Sequence, residues 1–414
     1  MNIRALIGGT IGWIVDVFDL TLILFITNII SSTFFPTFSP TAQLLLVFSS
    51  YALTLLARPV GGIVFGNLAD RLGRRIIMMI TLLGLGISTA LTGVLPTYSE
   101  IGILASILFV LLRLIVGIFV GGEVSGSHLI AIEESEKRFR GLSSGILQSG
   151  YYWGYSLAAF TFLGLVAYFG SAFSSIGWRY AFYIGLLVAI VGILLRITVG
   201  ESALFSDIKN KGRIERIPVA TLFREHGKEV LKVLLLLCGI YWVAYSTLGF
   251  LPTYLISFLR YPRDFVLTAL GFASIIGAIL TIIGGTLSNL LGRKRSFILY
   301  IAIGIIFSYP SIILLLGNNI FLVTLGSGLL VGLVGLSGGI MLAHISELFP
   351  TRVRASAVGF LWNTANIGSA VALILAPIIA RDVLGYFLLI ISGYIVGLIG
   401  AIVNKDKTGT DLSY

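Results

Sequence analysis

Long apolar runs separated by short polar stretches constrain the fold of this chain more than any other feature. A helix needs about 20 apolar residues to cross the roughly 30 Å hydrocarbon layer of a membrane. Of the 414 residues, 57% are hydrophobic and only 11% are charged, whereas a water-exposed surface needs roughly 25% charged residues. We therefore predict an all-α membrane protein. Its twelve transmembrane helices are expected at positions 7–31, 43–66, 76–95, 101–131, 141–169, 178–199, 230–259, 265–289, 296–316, 319–345, 355–380 and 383–403.

Basic residues indicate which side of the membrane each loop occupies, because loops rich in Lys and Arg stay in the cytoplasm. Most of the 28 Lys and Arg residues fall on one side, together with both chain ends. The exceptions on the other side are Arg179, Arg260, Arg263 and Arg381. We predict a multi-pass protein of the plasma membrane, surrounded by the lipid bilayer, with both termini in the cytoplasm.

The remaining composition excludes several classes of function. The net charge of +10 does not indicate a nucleic-acid partner, because the basic residues lie in short loops rather than along one face. The single cysteine, Cys238, excludes an intrachain disulfide and a Cys-rich metal site. The sequence contains no Walker loop and no arrangement of nucleophile and base. We expect no cofactor, no metal and no enzymatic activity, and a chain that functions as a monomer.

Two landmarks occur twice, in the same order, along the chain. The segment at 66–75 reads GNLADRLGRR, and the segment at 285–294 reads GTLSNLLGRK, with Asn289 in place of Asp70. The second landmark is a Glu seven residues before an Arg, as in Glu133 with Arg140 and Glu347 with Arg354. Parallel repeats of this kind recur in secondary transporters. The expected domains are an N-terminal six-helix bundle at 1–199, a cytoplasmic linker at 200–228, a C-terminal six-helix bundle at 229–404 and a short cytoplasmic tail at 405–414.

These motifs resemble the major facilitator superfamily, and the resemblance covers nearly the whole chain. That superfamily carries a GxLaDrxGRR motif after its second span, as at 66–75 here. Other stretches are similar to the sialate and lactate proton-symporter branch, and some are shared with the neighbouring metabolite and proton symporters. They are ARPVGG at 57–62, GGE at 121–123, RGLSSGILQSGYYWGYSLAA at 140–159, GWR at 177–179 and VGES at 199–202. The resemblance implies two pseudo-symmetric six-helix bundles and transport by alternating access.

The seventh span departs from the lactate permeases of that branch. Its sequence, LLLCGIYWVAYSTLGF, lacks their His and Gln signature. The resemblance therefore does not extend to lactate as the substrate.

Three ionisable residues, Asp16, Asp19 and Arg113, lie near the midplane of predicted spans. An ionised side chain there costs about 3 kcal/mol or more on insertion scales, so each one is a functional candidate. An Arg fork matches a carboxylate in two hydrogen bonds, and an Asp whose Arg partner moves can act as a proton switch. Our hypothesis is that Arg113 binds the carboxylate of an organic anion while Asp16 or Asp19 carries the proton. The alternative is a permanent salt bridge that fixes the first span against the fourth.

Glu123 lies nearer the cytoplasmic end of the fourth span. It is a second candidate for proton coupling. The alternative is a structural bond from Glu123 to loop amides or to Arg58.

The resemblance assigns gating to the polar motif after the second span. In the family, the Asp and Arg of this motif lock the second span to its neighbours in the outward-facing state, and its glycines allow close helix approach. The alternative role for the arginines is topological, but Asp70 does not serve topology. The predicted gating residues are Arg58, Gly66, Asp70, Arg71, Gly73, Arg74, Glu133, Arg140, Glu347 and Arg354.

Within this set, two glutamates are expected to form matching cytoplasmic latches. We expect Glu133 to pair with Arg138 or Arg140. Its counterpart in the second half, Glu347, is expected to pair with Arg352 or Arg354.

Polar and aromatic residues on other spans are candidates for the substrate cavity. Asn363 and Asn366 lie one turn apart on the eleventh span, and a cavity is favoured for them because an amide facing lipid is costly. For any single aromatic residue, packing against neighbouring helices is the competing interpretation. The predicted substrate-binding residues are Arg113, Gln148, Tyr152, Tyr241, Tyr245, Asn363 and Asn366.

The sequence thus predicts a proton-coupled secondary transporter that imports a small organic anion, either a monocarboxylate or a sugar acid. Alternatives are a symporter of another metabolite, such as a dicarboxylate or a zwitterionic osmolyte, and an exporter of metabolites or drugs. A non-transporting receptor with twelve spans is a further class, but it should lack charges at the midplane.

Overall fold

The computed structural model describes residues 3–72, 74–122, 127–197, 218–410 and 412. Within these residues the chain is helical apart from short turns and loops, and no β-strand is present. In this described part, eleven helices are long and apolar enough to cross a membrane. A further helix, Arg74–Val94, contains the shorter apolar stretch Met79–Val94. Each of the twelve predicted spans therefore corresponds to a helix.

We number the membrane helices α1 to α12, and several of them continue after a short break. They are α1 (Ile3–Phe25, then Thr27–Phe34), α2 (Pro40–Leu72), α3 (Arg74–Val94), α4 (Ile103–Gly121, then Ser127–Glu133), α5 (Arg140–Phe169), α6 (Gly177–Ile197), α7 (Pro218–Ala244, then the π-helical turns Tyr245–Gly249 and Tyr254–Phe258), α8 (Arg263–Leu291), α9 (Arg293–Leu314), α10 (Ile320–Gly338, then Met341–Leu348), α11 (Thr351–Thr364, then Asn366–Ile379) and α12 (Val383–Val403).

The described residues of the polar motif at 66–75 are helical, although the predicted second span ends at position 66. Helix α2 ends only at Leu72, and α3 begins at Arg74. The Leu, Ala and Arg residues of the motif have high helix propensity, so the helix continues past the apolar run. The motif therefore extends α2 beyond its predicted end at position 66.

The helices form two halves, residues 3–197 with α1 to α6 and residues 218–410 with α7 to α12. Across their interface, α5 packs against α8, and α2 packs against α11. Gly145 of α5 lies so close to Gly285 of α8 that a Cβ on Gly285 would come within 2.9 Å of the Gly145 Cα. Small residues let helix backbones approach in this way. The backbones of α5 and α8 are therefore in close contact at the interface between the halves.

Contacts between the halves occur at both ends of the interface. We call one end the tail face; it carries residues 133–140, 289–293, 347–354 and the C-terminal segment 404–410. At the opposite end, the Ser257 hydroxyl donates to the Asn28 side chain (2.8 Å), and the Tyr155 hydroxyl donates to the Leu248 carbonyl (2.8 Å). The polar residues between the halves therefore lie between two contact zones.

Candidate functional site

Two of the predicted midplane charges, Asp19 and Arg113, lie near each other inside the first half. Asp19 is 5% exposed and Arg113 is 2% exposed, and the two charges attract each other. The Asp19 carboxylate also accepts a hydrogen bond from the Thr89 hydroxyl, and the Arg113 guanidinium donates to the Thr92 hydroxyl. Helices α1, α3 and α4 thus hold a buried acid–base pair between them. The two threonines were not predicted from the sequence. The feature that could have identified them is a pair of hydroxyl side chains one turn apart on the third predicted span.

The contacts of Arg113 lie within the first half rather than between the halves. Its backbone carbonyl accepts a hydrogen bond from the Thr54 hydroxyl of α2 at 2.9 Å. Its guanidinium contacts Thr92, and the Nε atom has no hydrogen-bond partner. Its role in binding substrate stays a prediction. Asp16, one turn before Asp19 on α1, is also buried at 1% exposure, which places both aspartates away from water.

A second group of buried polar side chains lies where the two halves meet. It consists of residues on α2, α5 and α11 that each keep at least one polar atom without a hydrogen-bond partner. These atoms are Arg58 Nε and Nη2, Gln148 Oε1, Asn363 Oδ1 and Asn366 Oδ1. A buried polar group without a partner costs about 1–3 kcal/mol, so such a group needs an explanation. We call these residues the interface cluster.

The asparagines of the interface cluster present their carbonyl oxygens because their amide N–H groups bond their own helix. Asn363 Nδ2 donates to the Gly359 carbonyl at 3.0 Å, and Asn366 Nδ2 donates to the Trp362 carbonyl at 3.0 Å. The two oxygens remain as acceptors. The sequence predicted a cavity role for both residues, and the structure places both at less than 6% exposure.

Aromatic rings from both halves border the interface cluster. Trp13 of α1 lies 6.0 Å from Tyr151 of α5 and 5.8 Å from Trp362 of α11, between ring centroids. Tyr241 of α7 lies 6.0 Å from Trp362. Four helices therefore contribute one continuous aromatic group, which we call the aromatic belt. Trp13 and Trp362 were missed by sequence reasoning.

Two other predicted substrate residues, Tyr245 and Tyr152, also bridge the halves. Tyr245 lies 6.1 Å from Tyr51 between ring centroids and interacts electrostatically with Tyr151. Tyr152 packs against Gly277 of α8, where a Cβ would come within 2.6 Å of its ring. The structure thus brings Tyr241, Tyr245 and the interface cluster into one region, while Tyr152 reaches further into the second half.

Local backbone irregularities occur at this region. The π-helical turn Tyr245–Gly249 interrupts α7 at Tyr245, and α11 is broken between Thr364 and Asn366. π-bulges are frequent at functional sites, and transporters bind their substrates beside discontinuous helices. The irregular backbone of α7 and α11 therefore lies in the same region as the interface cluster.

The latches at the tail face have different partners from those that the sequence predicted. Arg354 Nη1 of the second half binds Glu133 Oε1 of the first half at 2.9 Å. Glu347 forms a two-bond ion pair with Arg293 at 2.9 and 3.0 Å, and Arg140 of the first half lies 3.8 Å away. The expected pairs of Glu133 with Arg138 or Arg140, and of Glu347 with Arg354, were wrong, because each Glu meets an Arg of the opposite repeat or of a neighbouring helix. The surroundings of Arg352 lie outside the described part, so its pairing with Glu347 stays a prediction. Sequence spacing identifies neighbours along one chain segment but not across an interface.

The C-terminal segment adds contacts at the tail face that sequence reasoning missed. Arg140 Nη1 donates to the Thr410 carbonyl at 2.6 Å, and the Thr410 hydroxyl donates to the Glu347 carbonyl at 3.1 Å. Burial disfavours the charged form of Asp406, but hydrogen bonds from Thr408 outweigh it and hold the Asp406 pKa below its usual value. The segment therefore connects both halves beside the latches.

Several predicted residues fall where the structure makes no statement about their contacts. Glu123 and Gly73 lie outside the described residues. Gly66, Asp70 and Arg71 belong to α2, and Arg74 begins α3, but the surroundings of these four residues are also outside the described part. Their predicted roles in proton coupling and gating stay predictions.

Comparison with known proteins agrees with this architecture. The chain matches the model of the Major Facilitator Superfamily over residues 17–373. It is 33% identical to the inner membrane metabolite transport protein YhjE of Escherichia coli (strain K12), which covers 89% of this chain and 86% of the relative. It is 29% identical to the shikimate transporter of the same organism, covering 98% of this chain and 94% of that protein.

Two further comparisons bear on substrate and fold. The proline/betaine transporter of Escherichia coli (strain K12) is 28% identical, over 99% of this chain and 84% of the relative. A structure of the xylose transporter XylE from E. coli superposes with a TM-score of 0.77 at 19% identity, covering 99% of both chains. This last likeness shows the fold. The relatives named here are transporters and not enzymes, and the chain belongs to the major facilitator superfamily as a multi-pass secondary transporter of metabolites.

Proposed function

We propose that this transporter imports a small organic anion together with a proton, and that the anion is a monocarboxylate or a sugar acid. The observation that carries the proposal is the Asp19–Arg113 pair, which is buried among membrane helices. Ionisable groups at that depth are costly and mark ion pathways and proton relays. The shikimate transporter among the relatives also supports an organic acid as substrate.

Coupling follows from the competition between two partners for Arg113. When Asp19 is charged, it attracts Arg113, and both groups are held by Thr89 and Thr92. When Asp19 takes up a proton, this attraction disappears, and Arg113 becomes available to an anion. Movement of one half against the other then exposes the site to the second side of the membrane. Asp16 and Glu123 are the other candidates for carrying the proton.

The orientation of the protein in the membrane forms part of the proposal. The tail face carries Arg293, Arg354, Arg140 and Lys407, whereas loops at the opposite end carry few basic residues. Because basic loops stay in the cytoplasm, we place the tail face and both termini there, in the plasma membrane, and expect a monomer to be sufficient. The latches would then close the cytoplasmic exit.

The aromatic belt favours a second candidate, a zwitterionic osmolyte. The faces of Trp and Tyr bind quaternary ammonium groups through cation–π attraction, and the belt joins two Trp and two Tyr rings. The proline/betaine transporter is among the relatives. In this alternative, the transporter would accept a molecule that carries both a carboxylate and a cation.

Counterflow in proteoliposomes that contain the purified full-length chain separates these candidates. The labelled panel includes shikimate, a sugar acid, a dicarboxylate, glycine betaine and a neutral sugar, and each positive substrate is then tested with an imposed pH gradient. We expect exchange of monocarboxylates, and accumulation when the outside is acidic that an uncoupler abolishes. Exchange of betaine alone would establish the second candidate. Exchange of neutral sugars without carboxylates, or carboxylate uptake indifferent to pH, would contradict the proposal.

A further inference from the structure

Arg58 of α2, a member of the interface cluster, has unused hydrogen-bond donors. The side chain is 1% exposed, and its Nε and Nη2 atoms have no hydrogen-bond partner. Resting on the function proposed above, we infer that Arg58 binds the carboxylate of the transported molecule and that this molecule is a hydroxylated monocarboxylate. The sequence grouped Arg58 with gating residues, so this role differs from the one expected.

The surroundings of Arg58 come from both halves of the protein. The guanidinium interacts electrostatically with Tyr51, which lies seven residues earlier on α2, and with Tyr241 of α7. One turn after Arg58, Gly62 lies against Asn363 of α11, where a Cβ would be 3.5 Å from the Asn363 Nδ2 atom. A ligand at Arg58 therefore contacts the first and second halves together, as alternating access requires.

The backbone around Arg58 is held firmly on the side of α4. A Cβ on Gly121 would collide with the Arg58 carbonyl, and a Cβ on Gly117 would collide with the Thr54 carbonyl one turn earlier. Close backbone packing of this kind fixes the position of α2 relative to α4. A binding group on a rigid helix is more precisely placed than one on a loop.

Arg58 and Arg113 differ in their availability. Arg113 is attracted by Asp19 and donates to Thr92, which leaves one unpartnered nitrogen atom, Nε. Two nitrogen atoms of Arg58, Nε and Nη2, have no hydrogen-bond partner. A planar guanidinium binds a carboxylate through two parallel hydrogen bonds. Arg58 is thus the group that can receive the anion while the Asp19–Arg113 pair is intact.

The other unpartnered atoms of the cluster identify the rest of the ligand. Asn363 Oδ1 and Asn366 Oδ1 are acceptors whose amide orientation is fixed by the bonds of Nδ2, so a ligand that satisfies them must bring hydrogen-bond donors. Hydroxyl groups provide such donors. Glycine betaine has a carboxylate but no O–H or N–H group, and it would leave these two atoms unpaired. A polyhydroxylated acid therefore fits the cluster better than betaine does.

Counterflow competition in proteoliposomes tests this inference. Each variant is assayed for exchange of the labelled hydroxy acid that the wild type exchanges in counterflow. The unlabelled acid, its methyl ester and its deoxy analogue are added as competitors, and the inhibition constant of each is measured. Arg58→Gln should raise the inhibition constant of the acid by about 10- to 100-fold, the range for a hydrogen bond to a charged group. The inhibition constant of the methyl ester should stay unchanged. Arg58→Lys keeps the charge but loses the fork, and a loss of at least about tenfold is expected.

Two controls make the outcome decisive. Arg263→Gln removes another partly buried arginine, whose Nε atom is also unpartnered, at the opposite end, and should leave the inhibition constants unchanged. Thermal unfolding confirms that each variant is folded. If Arg58→Gln does not fold, Arg58→Lys decides the matter. Wild-type inhibition by the acid in a folded Arg58 variant would overturn the inference.

The outcomes also separate this inference from the function on which it rests. If the wild type accumulates carboxylates in a pH gradient but Arg58→Gln retains its affinity, only the role of Arg58 is wrong. If deoxy analogues inhibit as strongly as the hydroxy acid, the assignment of the ligand class is wrong. If the wild type exchanges no carboxylate at all, the proposed function fails first.

Discussion

The two halves of this protein carry the same two sequence motifs, yet they bury very different side chains. The first half buries Asp16, Asp19, Arg58 and Arg113 within its membrane helices. In the second half, the described residues at comparable depth are neutral, including Asn366, while its buried ion pairs lie at the tail face. A charge in the membrane is costly, and in the function proposed above this half carries the proton coupling. In the same proposal, the second half offers neutral hydrogen-bonding groups to the substrate.

The repeated motifs show the same divergence at the tail face. Asn289 occupies the place of Asp70 in the second copy. Its Oδ1 accepts from the Gly141 N–H at 3.1 Å, and its Nδ2 donates to the Arg138 carbonyl at 2.9 Å. An Asp cannot make both bonds, because an ionised carboxylate only accepts. The amide thus fastens the second half to the first.

The largest effect on substrate accumulation is expected when a charge of the first half is removed. Removing an amide of the second half is the matched comparison. A symporter of one anion and one proton accumulates substrate about tenfold per pH unit. We expect Asp19→Asn to reduce this ratio to about one while counterflow persists. Asn366→Ala should keep the ratio and lower affinity by about fivefold, the value of one hydrogen bond. The measurement is uptake in proteoliposomes at a fixed pH gradient. Equal loss of accumulation in both variants would remove the distinction between the halves.

The next effect concerns the latch that joins the halves. Glu133→Gln leaves the buried Arg354 without its charged partner, which costs up to about 3 kcal/mol, and should open the tail face. Opening of the tail face is measured as the rate at which a thiol reagent labels the cysteine of Ala343→Cys, a buried interface position. The native cysteine is removed by Cys238→Ser. We expect labelling to be at least about tenfold faster.

The matched control for the latch is Glu136→Gln, which removes the exposed Glu136–Arg138 pair. Exposed pairs contribute roughly 0–1 kcal/mol, so labelling should stay close to the parent rate. Fast labelling in the control would show that surface charge, rather than the latch, determines access.

A smaller effect is expected from the contact between α5 and α8. A Cβ on Gly145 would come within 2.9 Å of the Ile282 Cα, whereas a Cβ on Gly164 of the same helix meets nothing within 4 Å. Gly145→Ala should therefore destabilise the protein by about 1–3 kcal/mol through overpacking. Gly164→Ala should be neutral or slightly stabilising, since Ala favours helix over Gly. Thermal unfolding in detergent measures both; equal unfolding temperatures would mean that the halves are not backbone-close at this point.

The smallest effect should follow from returning Asn289 to the residue of the first copy. Asn289→Asp keeps the acceptor for the Gly141 N–H but loses the donor to the Arg138 carbonyl. The expected loss is about 1 kcal/mol, the net value of one hydrogen bond, read as a lower unfolding temperature. An unchanged temperature would indicate that the two copies of the motif are interchangeable at this position.

The positions of the membrane helices could be predicted from the sequence, because apolar length alone determines whether a segment can span a membrane. The repeat followed from motif spacing, and the family followed from the resemblance of the motifs to a known superfamily. The partners at the tail face could not be predicted, because Glu133 meets Arg354 only once two bundles are placed against each other. For the same reason, the sequence identified Arg113 and Asn363 as polar residues in spans. It did not show that two donor atoms of Arg58 are unpartnered one turn from the contact of Gly62 with Asn363.

The central claim is that the buried aspartates of the first half carry a proton with each carboxylate. The most direct measurement is the pH of a weakly buffered medium when the substrate is added outside proteoliposomes of the wild type and of the double variant Asp16→Asn with Asp19→Asn. The wild type should make the medium more alkaline, and the double variant should exchange substrate without any change in pH. Alkalinisation of the same size in the double variant would contradict the account.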